Sequence, residues 1–144
     1  GLLKESVGGL MDHEDPELLE KLVGAMNQHR VPEIISVHEM RTLRSGKYTH
    51  IDLHTAVPEH YTIQKVHEVV ELFESQVLAV TGINGEFHTH IDPCGKHYCK
   101  QCSVANCSIR IHPFEQSPEF SIDSVTAPGP DREHSTEGYG IQHQ

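Results

Sequence analysis

The sequence predicts an α+β fold, a two-layer sandwich with the element order α-β-β-α-β. Two observations predict it: apolar residues recur at helical spacing in two segments, and they alternate with polar residues in three others. Helices that cover one face of a small sheet satisfy such a pattern. The 144 residues leave room for one domain of about 100 residues and a tail.

The first predicted helix begins at Asp15-Pro16. An aspartate can cap a helix N-terminus, and proline suits the first helical position. The helix should end near His29, because Val31-Pro32 disfavours its continuation. Its apolar positions are Leu18, Leu19, Leu22, Val23 and Met26.

Two strands are predicted on either side of the turn signal Ser45-Gly46, and together they form a hairpin. The first covers residues 34–44, with Ile35, Val37, Glu39, Arg41 and Leu43 on one side and His38 in line with Ser36 and Met40 on the other. The second covers residues 48–57, with Ile51, Leu53, Thr55 and Val57 on one face and Tyr48, His50, Asp52 and His54 on the opposite face.

A second helix is predicted over residues 62–77, with an apolar stripe of Ile63, Val66, Val70, Phe73 and Val77. A short third strand, residues 86–92, follows the turn Ile83-Asn84-Gly85. Its Phe87, Thr89 and Ile91 point one way, and His88, His90 and Asp92 point the other. Because the helices should cover the apolar sheet face, the opposite face is expected to carry the histidines.

The composition changes after residue 93. Residues 94–112 form a cysteine-rich segment, and residues 113–144 are polar, rich in proline and glycine, and predicted to be disordered. No stretch approaches the roughly 20 apolar residues of a membrane helix. The first residues lack the pattern of a secretory signal. The chain opens on glycine, so we expect it to be a fragment of a longer protein.

The charge balance favours a cationic ligand. The chain has 21 acidic and 11 basic residues and a formal net charge of -10, which argues against binding nucleic acid or an anionic membrane. It also has 13 histidines, and histidine is the commonest metal ligand.

The histidines are distributed so that four elements offer imidazoles and two of them also offer carboxylates. The donors are His38, then His50, Asp52 and His54, then His67, and finally His88, His90 and Asp92. A divalent transition metal needs several such donors within about 2.0–2.3 Å of one point. The pattern predicts a metal site, while the alternative is the polar alternation of any half-solvated strand.

Several segments resemble one known family in order along the chain. Residues 38–46, HEMRTLRSG, resemble the His-acidic-Leu-Arg-x-Arg-x-Ser-Gly motif of the cation diffusion facilitator cytoplasmic domain. Residues 51–54, 66–68 and 88–93 follow at the family's spacing, so the resemblance covers about residues 10–93. Two features depart from the family: Leu43 stands where arginine is common, and the cysteine-rich segment is not general.

The resemblance implies a metallochaperone-like fold, a domain spanning residues 13–93, and a homodimer formed through it. The positions that hold a binuclear zinc site in bacterial members are matched by His38, His54, His67, His90 and Asp92, with Asp92 as the bridging carboxylate. Residues 1–12 would be the linker from the protein's own transmembrane domain. Asp12 matches a position that forms a charge interlock with that domain; otherwise it is an ordinary solvated carboxylate.

The four cysteines have the spacing Cys94-x4-Cys99-x2-Cys102-x4-Cys107, followed by x4 and His112. The last four of these potential ligands have zinc-knuckle loop lengths, with the last two ligand types exchanged, which predicts a second metal site. Free thiols in a mobile tail are the alternative. An iron–sulfur cluster is less favoured, because Cys94-x4-Cys99-x2-Cys102 has plant-type ferredoxin spacing but the fourth cysteine comes too soon. Copper(I) or cadmium would also suit thiolates.

The resulting hypothesis is a regulatory, zinc-sensing dimerisation domain of a divalent-cation efflux transporter, without enzymatic activity. The parent protein would lie in the cell membrane with this domain in the cytoplasm, and the bound ion would be zinc or another divalent transition metal. The alternative is a freestanding cytosolic metal buffer or metallochaperone that uses the cysteine-rich segment. A metallohydrolase is disfavoured because the chain has no HExxH motif or glycine-rich catalytic loop.

Overall fold

The computed structural model describes residues 15–129. The elements are α1 (Pro16–His29), β1 (Ser36–Ser45), β2 (Tyr48–Val57), α2 (Ile63–Thr81) and β3 (Gly85–Pro93), then a 3₁₀ helix (Lys96–Gln101) and a short helix α3 (Ile122–Thr126). The predicted α-β-β-α-β order is confirmed, although α2 continues four residues beyond its predicted end. Within residues 15–129, no helix combines the length and apolarity that a membrane crossing requires.

Both long helices begin at side-chain caps. The Asp15 carboxylate accepts hydrogen bonds from the backbone N–H groups of Glu17 and Leu18, as predicted from the sequence. The Thr62 hydroxyl accepts from the N–H of Lys65 at the start of α2. Such contacts satisfy N–H groups that have no partner inside the helix.

The three strands form one mixed sheet in the order β1-β2-β3. β1 and β2 are antiparallel and form the predicted hairpin, whereas β3 runs parallel to β2. A parallel neighbour requires a crossover connection, and α2 provides it. Gly85 begins β3 where a Cβ atom would clash with the Thr49 carbonyl oxygen, so this position favours glycine.

The helices α1 and α2 cover one face of the sheet and bury the main core. Its members include Leu22, Met26, Met40, Ile51, Leu53, Val57, Phe73 and Val77. The apolar residues predicted to face inward from β2 do so, with Ile51 and Leu53 at most 2% exposed. The imidazole of His54 therefore lies on the opposite face, because successive strand residues point to opposite sides.

A β-bulge in β1 corrects the predicted alternation of that strand. His38 pairs with His54 and Arg41 pairs with Asp52, so β1 has one residue more than β2 in this interval. Glu39 adopts a left-handed backbone conformation with a φ of 53°. Met40 consequently enters the core instead of sharing a side with His38. A bulge that sets two residues against one moves every later side chain of its strand to the other face of the sheet.

The cysteine-rich segment folds against the histidine-bearing face and forms a second apolar cluster. Its buried members are Ile35, Ala56, Tyr98, Cys102 and Val104. The Arg110 guanidinium fixes the segment by donating hydrogen bonds to four carbonyl oxygens, those of Cys99, Cys102, Val104 and His112.

Residues 113–129 correct the prediction of a disordered segment beginning at residue 113. Residues 118–129, which we call the C-terminal strap, place Phe120 and Val125 in the main core. The Asn27 side chain exchanges two hydrogen bonds with the Phe120 backbone, at 2.9 and 2.8 Å, and the Arg30 guanidinium lies 4.1 Å from the centre of the Phe120 ring. The polar, proline-containing composition of residues 113–129 does not indicate these long-range contacts with α1. Residues 130–144 lie outside the described part of the chain.

Candidate metal centre

Three histidines form a row across the sheet on the face opposite the helices. His54 of β2 pairs with His38 of β1 on one side and with His90 of β3 on the other. The ring centres of His54 and His38 lie 5.5 Å apart, and those of His54 and His90 lie 4.6 Å apart. Strand register therefore concentrates imidazole nitrogens at one level of the sheet.

Asp92 lies two residues beyond His90 on β3 and brings a carboxylate to this row. Its Oδ2 atom lies 3.0 Å from Nδ1 of His54 and 3.3 Å from Nε2 of His38. His38, His54 and Asp92 each offer a ligand atom within 4.8 Å of the other two. We call these three residues the main cluster.

Glu39 adds a second carboxylate that the sequence analysis placed on the wrong side of β1. Its Oε2 atom lies 3.2 Å from Nε2 of His54, so each nitrogen of this imidazole faces a carboxylate oxygen. The bulge allows Glu39 and His38 to approach the same centre. Glycine or asparagine would signal a left-handed backbone in the sequence, but glutamate gives no such signal.

His38 is the most enclosed member of the main cluster, with 5% exposure. Its Nδ1 atom is buried and has no hydrogen-bond partner among residues 15–129. The C-terminal strap covers this site: a Cβ atom on Gly129 would clash with the His38 ring, and the Ala127 carbonyl accepts a 2.8 Å hydrogen bond from the Glu39 N–H.

The main cluster fits a divalent transition metal by its chemistry. Two imidazoles and a carboxylate are donors found in zinc sites, and the closest nitrogen–oxygen separations are 3.0 and 3.3 Å. The main cluster therefore supplies donor types that such an ion uses.

The family model for the cation efflux protein cytoplasmic domain matches residues 15–94. The chain belongs to this family, the cation diffusion facilitators. An uncharacterised transporter of Synechocystis sp., sll1263, is 27% identical over 93 residues. The match covers 64% of this chain but only 29% of that relative.

Two solved structures of the transporter CzrB share the fold of this cation diffusion facilitator domain. One is 20% identical with a TM-score of 0.50, covering 56% of this chain and 98% of that chain. The other, a Zn form, is 20% identical with a TM-score of 0.53, covering 60% and 96%. At this identity, the likeness concerns the fold.

Two of the residues matched to the family's zinc positions lie outside the main cluster. His90 stacks its ring on His54 with an interplanar angle of 13°, but its nitrogens do not complete the group. His67 lies on α2, where its Nδ1 atom is 3.6 Å from Glu71 and its side chain is 72% exposed. The described residues thus bring three of the five predicted positions together.

His67 borders a groove of about 550 Å³ between α2 and β3. Apolar residues lining the groove include Val66, Val70, Phe87 and Ile91. Glu74 also lines it, and partial burial raises the pKa of its carboxyl group, while a hydrogen bond from Thr89 acts in the opposite direction.

Cys94, Cys99, Cys102 and Cys107 are free thiols that line one small cavity together with Ile35 and Tyr98. Among residues 15–129, no three of the sulfur atoms lie within 4.8 Å of one another. Burial raises the pKa of the Cys94 thiol, while a hydrogen bond with the Glu59 backbone acts in the opposite direction and the charges of Glu59, Cys102 and Cys107 raise the pKa further. The predicted ligand His112 is exposed and does not line the cavity.

Asp12, the residue predicted to form the charge interlock, lies outside the described residues.

Proposed function

We propose that this chain is the regulatory, zinc-sensing dimerisation domain of a divalent-cation efflux transporter. The main support is the convergence of two imidazoles and a carboxylate from three different strands. Membership of the cation efflux family and the Zn form of the related CzrB structure support zinc as the ion. Cobalt, nickel, iron(II) and cadmium remain competing ions for the same donors.

Each residue of the main cluster has a proposed role. His38 and His54 would donate nitrogen ligands, and Asp92 would donate oxygen. Glu39 would orient His54 through the imidazole nitrogen that faces away from Asp92, as carboxylates commonly do beside metal-binding histidines. A bound cation would also offset repulsion between the Glu39 and Asp92 carboxylates.

The proposed dimer would use the groove between α2 and β3 as part of its interface. Ile63 is 90% exposed and Ile91 is 44% exposed, and both line this groove beside His67. Burying such apolar surface against a second copy would favour association. His67, which borders the groove, would then lie within the interface and be available to complete coordination there.

Sensing requires that the ion bind one arrangement of the dimer more tightly than another, because equal affinity would shift neither population. Metal binding would favour a closed arrangement and transmit the change to the protein's own membrane domain. The membrane domain would carry out transport, and the proposal assigns no catalytic step to this chain.

Small-angle X-ray scattering of the 144-residue chain with and without zinc tests the proposal. The scattering profile should become that of a more compact dimer on adding zinc, and His54→Ala should reduce this response. His60→Ala is the matched control, because His60 is an exposed histidine outside the main cluster. Identical wild-type profiles with and without zinc would contradict the sensing role.

The cysteine-lined cavity supports a second candidate function, metal buffering through thiolates. All four sulfur-bearing residues face one enclosure, but the thiols would have to move inward before three could bind one ion. Metal analysis of the purified chain beside Cys102→Ser and His54→Ala separates the two functions. Buffering predicts that Cys102→Ser loses most of the bound metal, whereas the main proposal predicts that His54→Ala does.

A further inference from the structure

A second group of metal-ligating side chains lies near the hairpin end of the same sheet face. The Oε1 atom of Glu86 lies 3.0 Å from Nδ1 of His50 and 3.2 Å from Nε2 of His88. Each of these three residues offers a ligand atom within 4.8 Å of the other two. We call them the outer cluster.

Strand register creates the outer cluster. In the parallel pairing of β2 and β3, His50 lies beside Glu86 and Asp52 lies beside His88. Residues 50, 52 and 54 share one face of β2 because the side-chain period is two. The outer cluster is thus held by the same rigid strand pair that carries His54.

The outer cluster is separate from the main cluster. His50 and His54 are four residues apart on one strand, which corresponds to about 13 Å at a rise of about 3.3 Å per residue. A transition-metal ion binds its ligands at about 2.0–2.3 Å, so one ion cannot be shared between the clusters.

The two nitrogens of His88 face different carboxylates. Nε2 faces Glu86 within the outer cluster, whereas Nδ1 lies 3.3 Å from Oδ1 of Asp52. A carboxylate on the second nitrogen fixes the orientation of a metal-binding imidazole and increases its basicity. Asp52 therefore has the geometry of a positioning residue for His88.

We propose that the outer cluster is a second divalent-metal site, with His50, Glu86 and His88 as ligands. Two imidazoles and one carboxylate suit first-row transition ions such as cobalt(II), zinc and iron(II) and leave further coordination positions open. The ligand side chains are 30%, 43% and 56% exposed. The bound ion would consequently exchange readily with solvent, unlike an ion beside the enclosed His38.

The side chains of the outer cluster are as exposed as those of ordinary surface ion pairs, which contribute little to stability. Its arrangement is more specific, because one carboxylate oxygen contacts two imidazoles that come from different strands. The inference concerns binding at this cluster only, and it stands whether or not the main cluster regulates a dimer.

Nuclear magnetic resonance with paramagnetic cobalt(II) tests this site in the 144-residue chain carrying His54→Ala, which disables the main cluster. Cobalt should selectively broaden or shift amide signals of residues 49–51 and 86–88. Adding His88→Ala should weaken this binding at least about tenfold, by analogy with the loss of coordinating groups. His60→Ala in place of His88→Ala should leave it unchanged.

A second variant guards against misfolding at position 88. Glu86→Gln keeps the shape of the side chain and removes its charge, and it should weaken cobalt binding with an unchanged circular dichroism spectrum. Equal cobalt effects in the His54→Ala chain with and without His88→Ala or Glu86→Gln would overturn the proposal. Absence of selective effects at residues 49–51 and 86–88 would overturn it as well.

Discussion

The Nδ1 atom of His54 lies 3.0 Å from Oδ2 of Asp92, although the residues are 38 positions apart in the chain. The same oxygen lies 3.3 Å from Nε2 of His38. One carboxylate oxygen is therefore shared by imidazoles from the two other strands of the sheet. This position makes Asp92 the member of the main cluster on which the other two converge.

Replacing the shared carboxylate should weaken zinc binding. We expect Asp92→Asn to lower the zinc affinity of the main cluster by about 10–100-fold or more, because the amide retains the shape but loses the anionic oxygen. Isothermal titration calorimetry with zinc measures the effect, and Asp123→Asn, an exposed change on α3, serves as the control. An affinity equal to that of the wild type would remove Asp92 from the ligand set.

Truncating Phe120 should test whether the C-terminal strap belongs to the folded core. We expect Phe120→Ala to lower the free energy of unfolding by about 3–5 kcal/mol, the usual cost of deleting a buried phenyl ring. The control Phe114→Ala removes a ring that is 46% exposed and should change stability by about 0.5 kcal/mol or less. Urea unfolding measures both, and equal effects would contradict the strap's packing.

Neutralising Glu74 should stabilise the chain at neutral pH. Burial raises the pKa of this carboxyl group, so the folded chain retains its proton more strongly than the unfolded chain. Protonation of Glu74 stabilises the folded chain to its full extent below the pKa that the group has in the unfolded chain, near pH 4. This stabilisation disappears as the pH rises through the pKa that the group has in the folded chain.

We therefore expect Glu74→Gln to raise the free energy of unfolding at pH 7 by less than about 1 kcal/mol, because the group is only partly buried. The gain should vanish near pH 4, where wild-type Glu74 is itself protonated. Urea unfolding at both pH values checks this, with Glu68→Gln on the exposed face of α2 as the control. If the stability gained by Glu74→Gln instead increased on acidification, the prediction would be wrong.

The thiol of Cys94 should react slowly in the metal-free folded chain. Burial raises its pKa, and the thiolate is the reactive form. We expect its alkylation by iodoacetamide to reach half-maximal rate at a higher pH than in the urea-unfolded chain, where an ordinary cysteine has a pKa of about 8.5. Mass spectrometry after timed quenching measures the rate, and a lower midpoint in the folded chain would refute the shift.

The parts of the fold that depend on local periodicity could be predicted from the sequence. Alternation in β2 correctly separated Ile51 and Leu53 from His54, and the cap at Asp15 identified the start of α1. The same alternation in β3 placed His90 and Asp92 on one face. Each of these features depends on neighbours within a few residues.

The features that depend on distant contacts could not be predicted in this way. The bulge at Glu39 has a left-handed backbone but no glycine that would indicate it in the sequence, and it places the Glu39 carboxylate beside His54 in the candidate metal centre. The strap lies in polar, proline-containing sequence, yet Asn27 binds its backbone from 93 residues away. The outer cluster depended on the parallel register of β2 and β3, which periodicity within a strand does not specify.

The ligands of the main cluster come from β1, β2 and β3 and meet only when the whole sheet has formed. An unfolded chain cannot offer the same preformed donors, so ion occupancy and folding are thermodynamically linked. Excess free metal at 100 times its dissociation constant would add about 2.7 kcal/mol to the free energy of unfolding. The resistance of the domain to heat would then vary with the free metal concentration around it.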